Sequence, residues 1–340
     1  MKKLKTLSVI LLSFTLVFGV IGCGNKSNAD NAGGTEGTKE LKTVTIANPA
    51  LDGTLTEAAG IAQREGYFEE ELAKVGYKPD YQGFAQAGPA INEAFAAKSL
   101  DFAVYGDMPA ITAKSNGVDV KIIASVSSQQ DYAIVIGNQS DISSISDLKG
   151  KKIAVGFGTV TYKYLEDLLG QNGLGIGDVE IVNTSVDGPT MLSSGQVDAF
   201  VTQLTAAYLY QQSKIGKIFV STKDTPEIAG QFVLAVRGDF LQENPEAAQA
   251  VVKALNRAYE FAKGNTDKVY EDLATKNFPS SIQKVVYSDT SFEYFDPAID
   301  SVTEKKLTDL KEYLKKNKLI ANDVDINQLI DKSVYEKAVQ

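Results

Sequence analysis

Histidine is absent from all 340 residues, which excludes a Ser-His-Asp triad, a Cys-His dyad and any zinc site built on imidazole. Chemistry on this chain would have to run on carboxylates or lysines, which are too frequent to mark a site by number. Cysteine is nearly absent too: Cys23 stands alone, so no disulfide forms within the chain. A basic excess is also missing. With 34 Lys and Arg against 43 Asp and Glu the net charge is -9, which argues against nucleic acid or an anionic lipid surface as a partner. The longest apolar run, Leu7 to Ile21, falls short of the about 20 residues that a spanning helix needs.

What is there begins with Lys2, Lys3 and Lys5 ahead of that run, the pattern of an export signal. Val20-Ile21-Gly22-Cys23 follows and resembles a bacterial lipobox, in which the cysteine is lipidated and becomes the first residue of the mature protein. Residues 1–22 are therefore expected to be a lipoprotein leader. Residues 23–41, rich in Gly, Asn and Thr without apolar periodicity, are expected to form a flexible tether behind lipidated Cys23. Loss of three lysines with the leader makes the mature chain still more acidic. At 44% hydrophobic and 23% charged residues, the remainder is long enough for two globular domains.

The stretch Lys149 to Leu169 organises the reading. Lys152 to Val155 is a short strand, Gly156 and Gly158 allow a tight turn, and Thr159 is placed to cap a helix carrying Leu165, Leu168 and Leu169. Free amides at such a helix start favour an acceptor-rich group. Around it, strands and helices alternate. Thr43–Ala47, Asp80–Phe84, Phe102–Tyr105, Lys121–Val126, Ala133–Ile136 and Phe232–Val236 read as strands, with helices from about Glu57, Glu69, Pro89 and Ala110, and a long one from Pro245. Alternation of this kind implies a mainly parallel sheet with helices on both faces.

An internal echo divides the chain. Gly88-Pro89, a helix and Leu100-Asp101-Phe102-Ala103-Val104 match Gly188-Pro189, a helix and Val197-Asp198-Ala199-Phe200-Val201. Two α/β lobes of similar topology follow, with crossings near Ser127–Tyr132 and Thr222–Gly230. Residues 42–128 plus 229–340 form lobe one, and 129–228 form lobe two. Ligand loops lie at the carboxyl ends of parallel strands, so the loops near 52, 106, 158 and 203 should face one another across a cleft.

Several runs in this order resemble the aliphatic sulfonate, nitrate and taurine substrate-binding proteins of ABC transporters. They are the lipobox, Gly66-Tyr67-Phe68-Glu69, Phe84 to Pro89, Gly106-Asp107-Met108-Pro109, Asp147 to Ala154, Ser194 to Ala199 and Asn244-Pro245-Glu246. The resemblance covers nearly all of the mature chain. It implies a two-lobed periplasmic-binding fold of type II that closes on a small solute and delivers it to a permease and its ATPase. It also implies a monomer anchored by lipid alone outside the cytoplasmic membrane, with no catalysis, metal or cofactor.

Binding positions carried over by the resemblance are Asp52, Gly53 and Thr54; Tyr105, Gly106, Asp107 and Met108; Gly158, Thr159, Val160 and Thr161; and Gln203. Gly158, Thr159 and Thr161 would receive the acceptor end of the ligand, Asp107 would cap its helix, and Asp131 and Tyr132 would act at the hinge. The chain departs from the family pattern with Tyr105 before Gly106, with Phe157 in the glycine turn, and with Gln203-Leu204-Thr205 in place of a Trp- and Pro-containing loop. Tyr105, Tyr132, Phe157 and Tyr162 could stack on a ring, so a pyrimidine-type vitamin precursor competes with a small sulfonate. The same family includes a pyrimidine-synthesising enzyme that uses a histidine of its own chain, a residue missing here.

Overall fold

Apolar positions alternate in the first strand, β1 (Lys42–Asn48), so that Val44 and Ile46 point to one face and Ala47 to the other, and all three are buried. The computed structural model describes residues 40–49, 52–84, 86–157, 159–184, 187–275, 278–288 and 291–340. The expected leader, Cys23 and the tether up to residue 39 lie outside the described residues, as does Gly158.

After β1 come α1 (Glu57–Arg64), α2 (Tyr67–Lys74), β2 (Tyr77–Gly83), α3 (Ala87–Ala96), β3 (Phe102–Gly106), α4 (Asp107–Ser115) and β4 (Val120–Gln130). The chain then passes to a second sheet through β5 (Tyr132–Ile136), β6 (Lys152–Val155), α5 (Val160–Gln171), β7 (Glu180–Asn183), α6 (Gly188–Ser193), β8 (Ala199–Gln203), α7 (Leu204–Gln212) and β9 (Lys217–Ser221). It returns as β10 (Gly230–Arg237), followed by α8 (Gly238–Glu243), α9 (Pro245–Gly264), α10 (Thr266–Asp272), α11 (Ser280–Val286), α12 (Ser301–Lys316), α13 (Ile326–Leu329) and α14 (Ser333–Ala338).

The sheets run in the orders β2-β1-β3-β10-β4 and β7-β6-β8-β5-β9. They have the same topology: β1, β2, β3 and β4 correspond to β6, β7, β8 and β9. In each sheet these four strands run the same way, and the strand that has just crossed from the other half, β10 or β5, is inserted antiparallel. Each sheet is therefore mainly parallel in direction but mixed in pairing. The sequence echo falls on equivalent elements, α3-β3-α4 and α6-β8-α7.

Helices cover both faces of each sheet, because β-strands buried on two sides need an apolar layer on each. Val44, Ile46, Phe102 and Val104 pack under α1, α2 and α9, whose Ala248, Val251, Val252 and Leu255 form the buried stripe read from the sequence. On the opposite face Ala103 and Tyr105 pack under α3, α4 and α12. In the second sheet Leu165, Leu168 and Leu169 of α5 cover one face, and Leu192, Leu204 and Ala207 the other. Glu71 of α2 is buried and ion-paired to Arg257 of α9 at 2.6 Å, with the guanidinium also over the Tyr67 ring. Among the described residues no helix is long and apolar enough to cross a membrane.

Candidate functional site

Of the loops expected to face one another, those at 106 and 203 and the helix start at Thr159 line one space, and the loop at 52 does not. A cavity of about 850 Å³ is lined by Pro49 after β1, by Tyr105, Gly106 and Met108 where β3 becomes α4, by Thr159 and Val160 at the start of α5, by Gln203 at the end of β8, and by Phe232 of β10. Its walls thus come from both sheets, at the carboxyl ends of their parallel strands, where open α/β sheets place ligands. Much of the lining is apolar, with Pro89, Pro109, Val118, Leu314 and Leu319, while Asn92, Glu93, Thr112 and Asn116 add polar groups.

Thr159 adopts the extended conformation of an N-cap, and its Oγ1 accepts the Tyr162 amide at 3.2 Å, as the sequence predicts. That oxygen also pairs with Thr161 Oγ1 at 2.8 Å. Tyr105 is fully buried, and its hydroxyl has no hydrogen-bond partner although the residue lines the cavity. An orphaned buried hydroxyl costs stability. Tyr105→Phe is therefore expected to unfold no earlier than the wild type, and up to about 1 kcal/mol later, in a thermal melt of the empty protein. A drop in melting temperature would show that the hydroxyl already has a partner.

A smaller cavity of about 160 Å³ adjoins the first through the shared walls Pro49, Gln203 and Phe232. Asn48, Glu57, Gln129, Gln130, Asp131 and Tyr287 line it. Glu57, at the start of α1, is 8% exposed and sits at φ +56, a conformation costly for a residue with a Cβ. Burial pushes its carboxyl up to about 7, opposed by the Tyr287 hydroxyl, which donates to Oε2 at 2.7 Å. No lysine or arginine is among the described residues lining either cavity.

Asp131 lies between β4 and β5. Its Oδ1 accepts from Thr222 Oγ1 at 2.6 Å and from Gln129 Nε2 at 2.9 Å, while Oδ2 pairs with Lys223 at 2.9 Å. Because Thr222 and Lys223 open the return passage, this carboxylate ties the two inter-sheet connections together. Tyr132 is buried and faces away from the cavity of Tyr105. It lines a third space of about 590 Å³ together with Asp107, Lys163, Lys306 and Tyr313. There Tyr313 of α12 donates to Glu166 of α5 at 2.9 Å, a bond between helices that belong to different sheets.

The structure therefore brings Tyr105, Gly106, Met108, Thr159, Val160 and Gln203 into one cavity and Asp131 into its extension. Asp52, Gly53 and Thr54 do not line it. Asp52 is exposed and accepts the Thr54 amide, Gly53 at φ +71 turns tightly under the Tyr81 carbonyl, and the Thr54 carbonyl accepts from Asn48 Nδ2. The loop thus positions Asn48. Thr161 serves the cap of α5. Asp107 does not cap α4: Gly106 is the N-cap, and Asp107, the first helical residue, turns inward so that Oδ1 accepts its neighbour Met108's amide at 2.8 Å. Burial pushes that carboxyl up to about 6. Phe157 is 57% exposed, edge-on to Tyr162, and neither ring lines the cavity. Its aromatic wall is Tyr105 and Phe232.

Phe232, Asn48 and Glu57 escape a reading of the sequence. A glutamate in the first turn of a helix ordinarily faces water, and only the inserted β10 carries Phe232 between the two sheets.

A family model described as NMT1/THI5 like matches residues 58–268. A protein of Bacillus subtilis (strain 168) named as an aliphatic sulfonates-binding protein is 28% identical over 336 residues, 97% of this chain and 96% of that one. A solved structure from Methylobacillus flagellatus KT, described as the periplasmic sulfonate-binding protein SsuA, superposes with a TM-score of 0.78 at 28% identity, covering 89% of this chain and 95% of that one. The desulfurization enzyme DSZB shares the fold at 16% identity, with a TM-score of 0.70 over 88% of this chain and 99% of its own. With a two-sheet fold that agrees and a family match spanning more than half its length, the chain belongs to the NMT1/THI5-like family.

Proposed function

We propose that this protein is the solute-capturing component of an ABC import system, closing on a small anionic or polar organic solute and presenting it to a permease and its ATPase. The observation that carries this reading is the cavity of about 850 Å³ whose walls come from both sheets. A solute touching both halves favours their closed arrangement, which is how capture becomes a signal to a partner. The two sheets with their helices would be the lobes, 42–128 plus 229–340 and 129–228, hinged at the crossings that Asp131 ties together.

Relatives supply the class of solute. The B. subtilis relative is named for aliphatic sulfonates, and an Escherichia coli relative, 27% identical over 63% of this chain and 66% of its own length, is named a taurine-binding periplasmic protein. In this cavity a sulfonate would rest on neutral donors, the first amides of α5 with Gln203, since no lysine or arginine is among the described residues lining the walls. Capture proceeds without turnover, outside the cytoplasmic membrane, by a monomer held there through a lipid on Cys23. A planar aromatic solute is the second reading, favoured by the rings of Tyr105 and Phe232 in the wall.

Thermal shift and calorimetry against sulfonates, taurine, nitrate and pyrimidines test this. A true solute at one hundred times its dissociation constant should add about 2.7 kcal/mol of stability and be recovered unchanged by mass spectrometry. Saturable binding of none of them would sink the reading. Gln203 is exposed, caps nothing with its side chain and lines both cavities, so Gln203→Ala should weaken binding about tenfold while leaving the melting temperature unaltered. Unchanged affinity would place the solute elsewhere.

A further inference from the structure

The small cavity beside Glu57 is lined by two carboxyl groups, Glu57 and Asp131, and by no lysine or arginine among the described residues. Asn48 is 3% exposed, and its Nδ2 donates to the Thr54 carbonyl at 2.5 Å, which fixes the orientation of the amide. Its Oδ1 then has no partner, although Asn48 lines the cavity. Glu57 supplies a carboxyl to the same space, held by Tyr287 and Gln130 through hydrogen bonds and ion-paired to no cation among the described residues. Asp131, the other carboxylate in the lining, is already neutralised by Lys223. An orphaned acceptor next to an unpaired buried carboxyl calls for a group that brings several donors and a positive charge. A sulfonate or nitrate brings neither.

We propose that this end of the cleft is a subsite for a protonated nitrogen. The solute then carries an ammonium or amidinium that sits between Glu57 and Asn48 Oδ1, while its acceptor or apolar end lies against Tyr105, Thr159 and Val160 in the larger cavity. The proposal rests on the solute-receptor reading and narrows it: nitrate and unsubstituted alkanesulfonates are poor ligands, and amine-bearing solutes of the same shape are good ones. A charge-assisted hydrogen bond in a desolvated site is the source of the discrimination.

Matched pairs of ligands test it by calorimetry on the wild-type protein: taurine with ethanesulfonate, homotaurine with propanesulfonate, and aminomethylbenzenesulfonate with toluenesulfonate. Nitrate and a set of aminopyrimidines with their amine-free parents run alongside. The amine-bearing member of each pair that binds should do so at least about tenfold tighter than its partner. Glu57→Gln keeps an acceptor for Tyr287, and it should bring the two members to within about threefold by weakening the amine alone. Equal or tighter binding of the amine-free members overturns the proposal while leaving the solute-receptor reading intact. Equal weakening of both members in Glu57→Gln also overturns it, since that is the mark of a structural role. Binding of no ligand at all overturns the solute-receptor reading itself, and the proposal falls with it.

Discussion

Glu57→Gln should unfold at a higher temperature than the wild type at about pH 8, with a margin that closes as the pH falls towards 4.5. The carboxyl titrates near 7 in the folded protein and near its ordinary 4.5 in the unfolded chain, because burial disfavours the charged form. Between those values the folded state holds the proton and the unfolded state releases it, so stability falls as pH rises through the window. Above pH 7 the whole cost is present, about 3 kcal/mol. Below 4.5 both states are protonated and the cost is gone. Tyr287 and Gln130 lower the carboxyl by hydrogen bonding and Lys223 by its charge, while Asp131 raises it; burial outweighs them all. Glutamine has no charge to desolvate and can still accept from Tyr287. Melting curves of the two proteins across this range decide the matter, and a difference independent of pH would show that Glu57 is solvated in the empty protein.

A residue that lowers stability at neutral pH and also sits at a strained φ is an expensive structural choice. Leucine or glutamine at the head of α1 would be cheaper. Such costs concentrate where a protein keeps a group for its ligand rather than for its fold. Asp107, buried on the far side of α4 and pushed up to about 6, is a second case of the same kind, but its Oδ1 is taken by the Met108 amide and it faces Lys306 across the third cavity. Glu57 combines the cost with an unpartnered acceptor, Asn48 Oδ1, in the lining of the same cavity.

Much of the architecture was legible because it rests on local rules. The run from Lys152 through Thr159 declares a strand and a capped helix, and both are present where expected. The repeated Gly-Pro before a helix and an apolar-Asp-apolar strand identified two halves of one topology, since equivalent packing needs equivalent residues. The loops holding Tyr105, Gly106, Met108, Thr159, Val160 and Gln203 could be located because carboxyl ends of parallel strands converge whatever their side chains are, and the family resemblance singled out those residues on them. What was hidden depends on contacts distant in sequence. Phe232 enters the cleft because β10 inserts between β3 and β4, and Glu57 is hydrogen-bonded by Tyr287, 230 residues away. Asp52 illustrates the converse: the resemblance carried a ligand contact onto the loop after the first strand, yet the Asp52 carboxylate accepts the Thr54 amide.

Gly88→Val should destabilise the protein by about 3 kcal/mol and weaken solute binding as well. Gly88 is buried in the first turn of α3, and a Cβ placed there would stand 2.5 Å from Pro109 Cβ and 2.9 Å from Pro109 Cγ. A proline ring cannot rotate aside, so α3 and α4 must part. Pro109 follows Gly106, Asp107 and Met108, so the displacement is felt in the wall of the large cavity. Gly188, its counterpart at the start of α6, meets the Phe200 side chain at 2.9 to 3.1 Å instead, and Phe200 is itself buried edge-on against Tyr210. Gly188→Val should therefore also destabilise, by less, and should leave the wall formed by Gly106 and Met108 in place. Gly137 has nothing within 4 Å of a built Cβ, so Gly137→Ala is the neutral control. Melting temperatures and solute affinities of the three variants separate the effects. If Gly88→Val melts with Gly137→Ala, the close approach of α3 to Pro109 is not what these paired glycines serve.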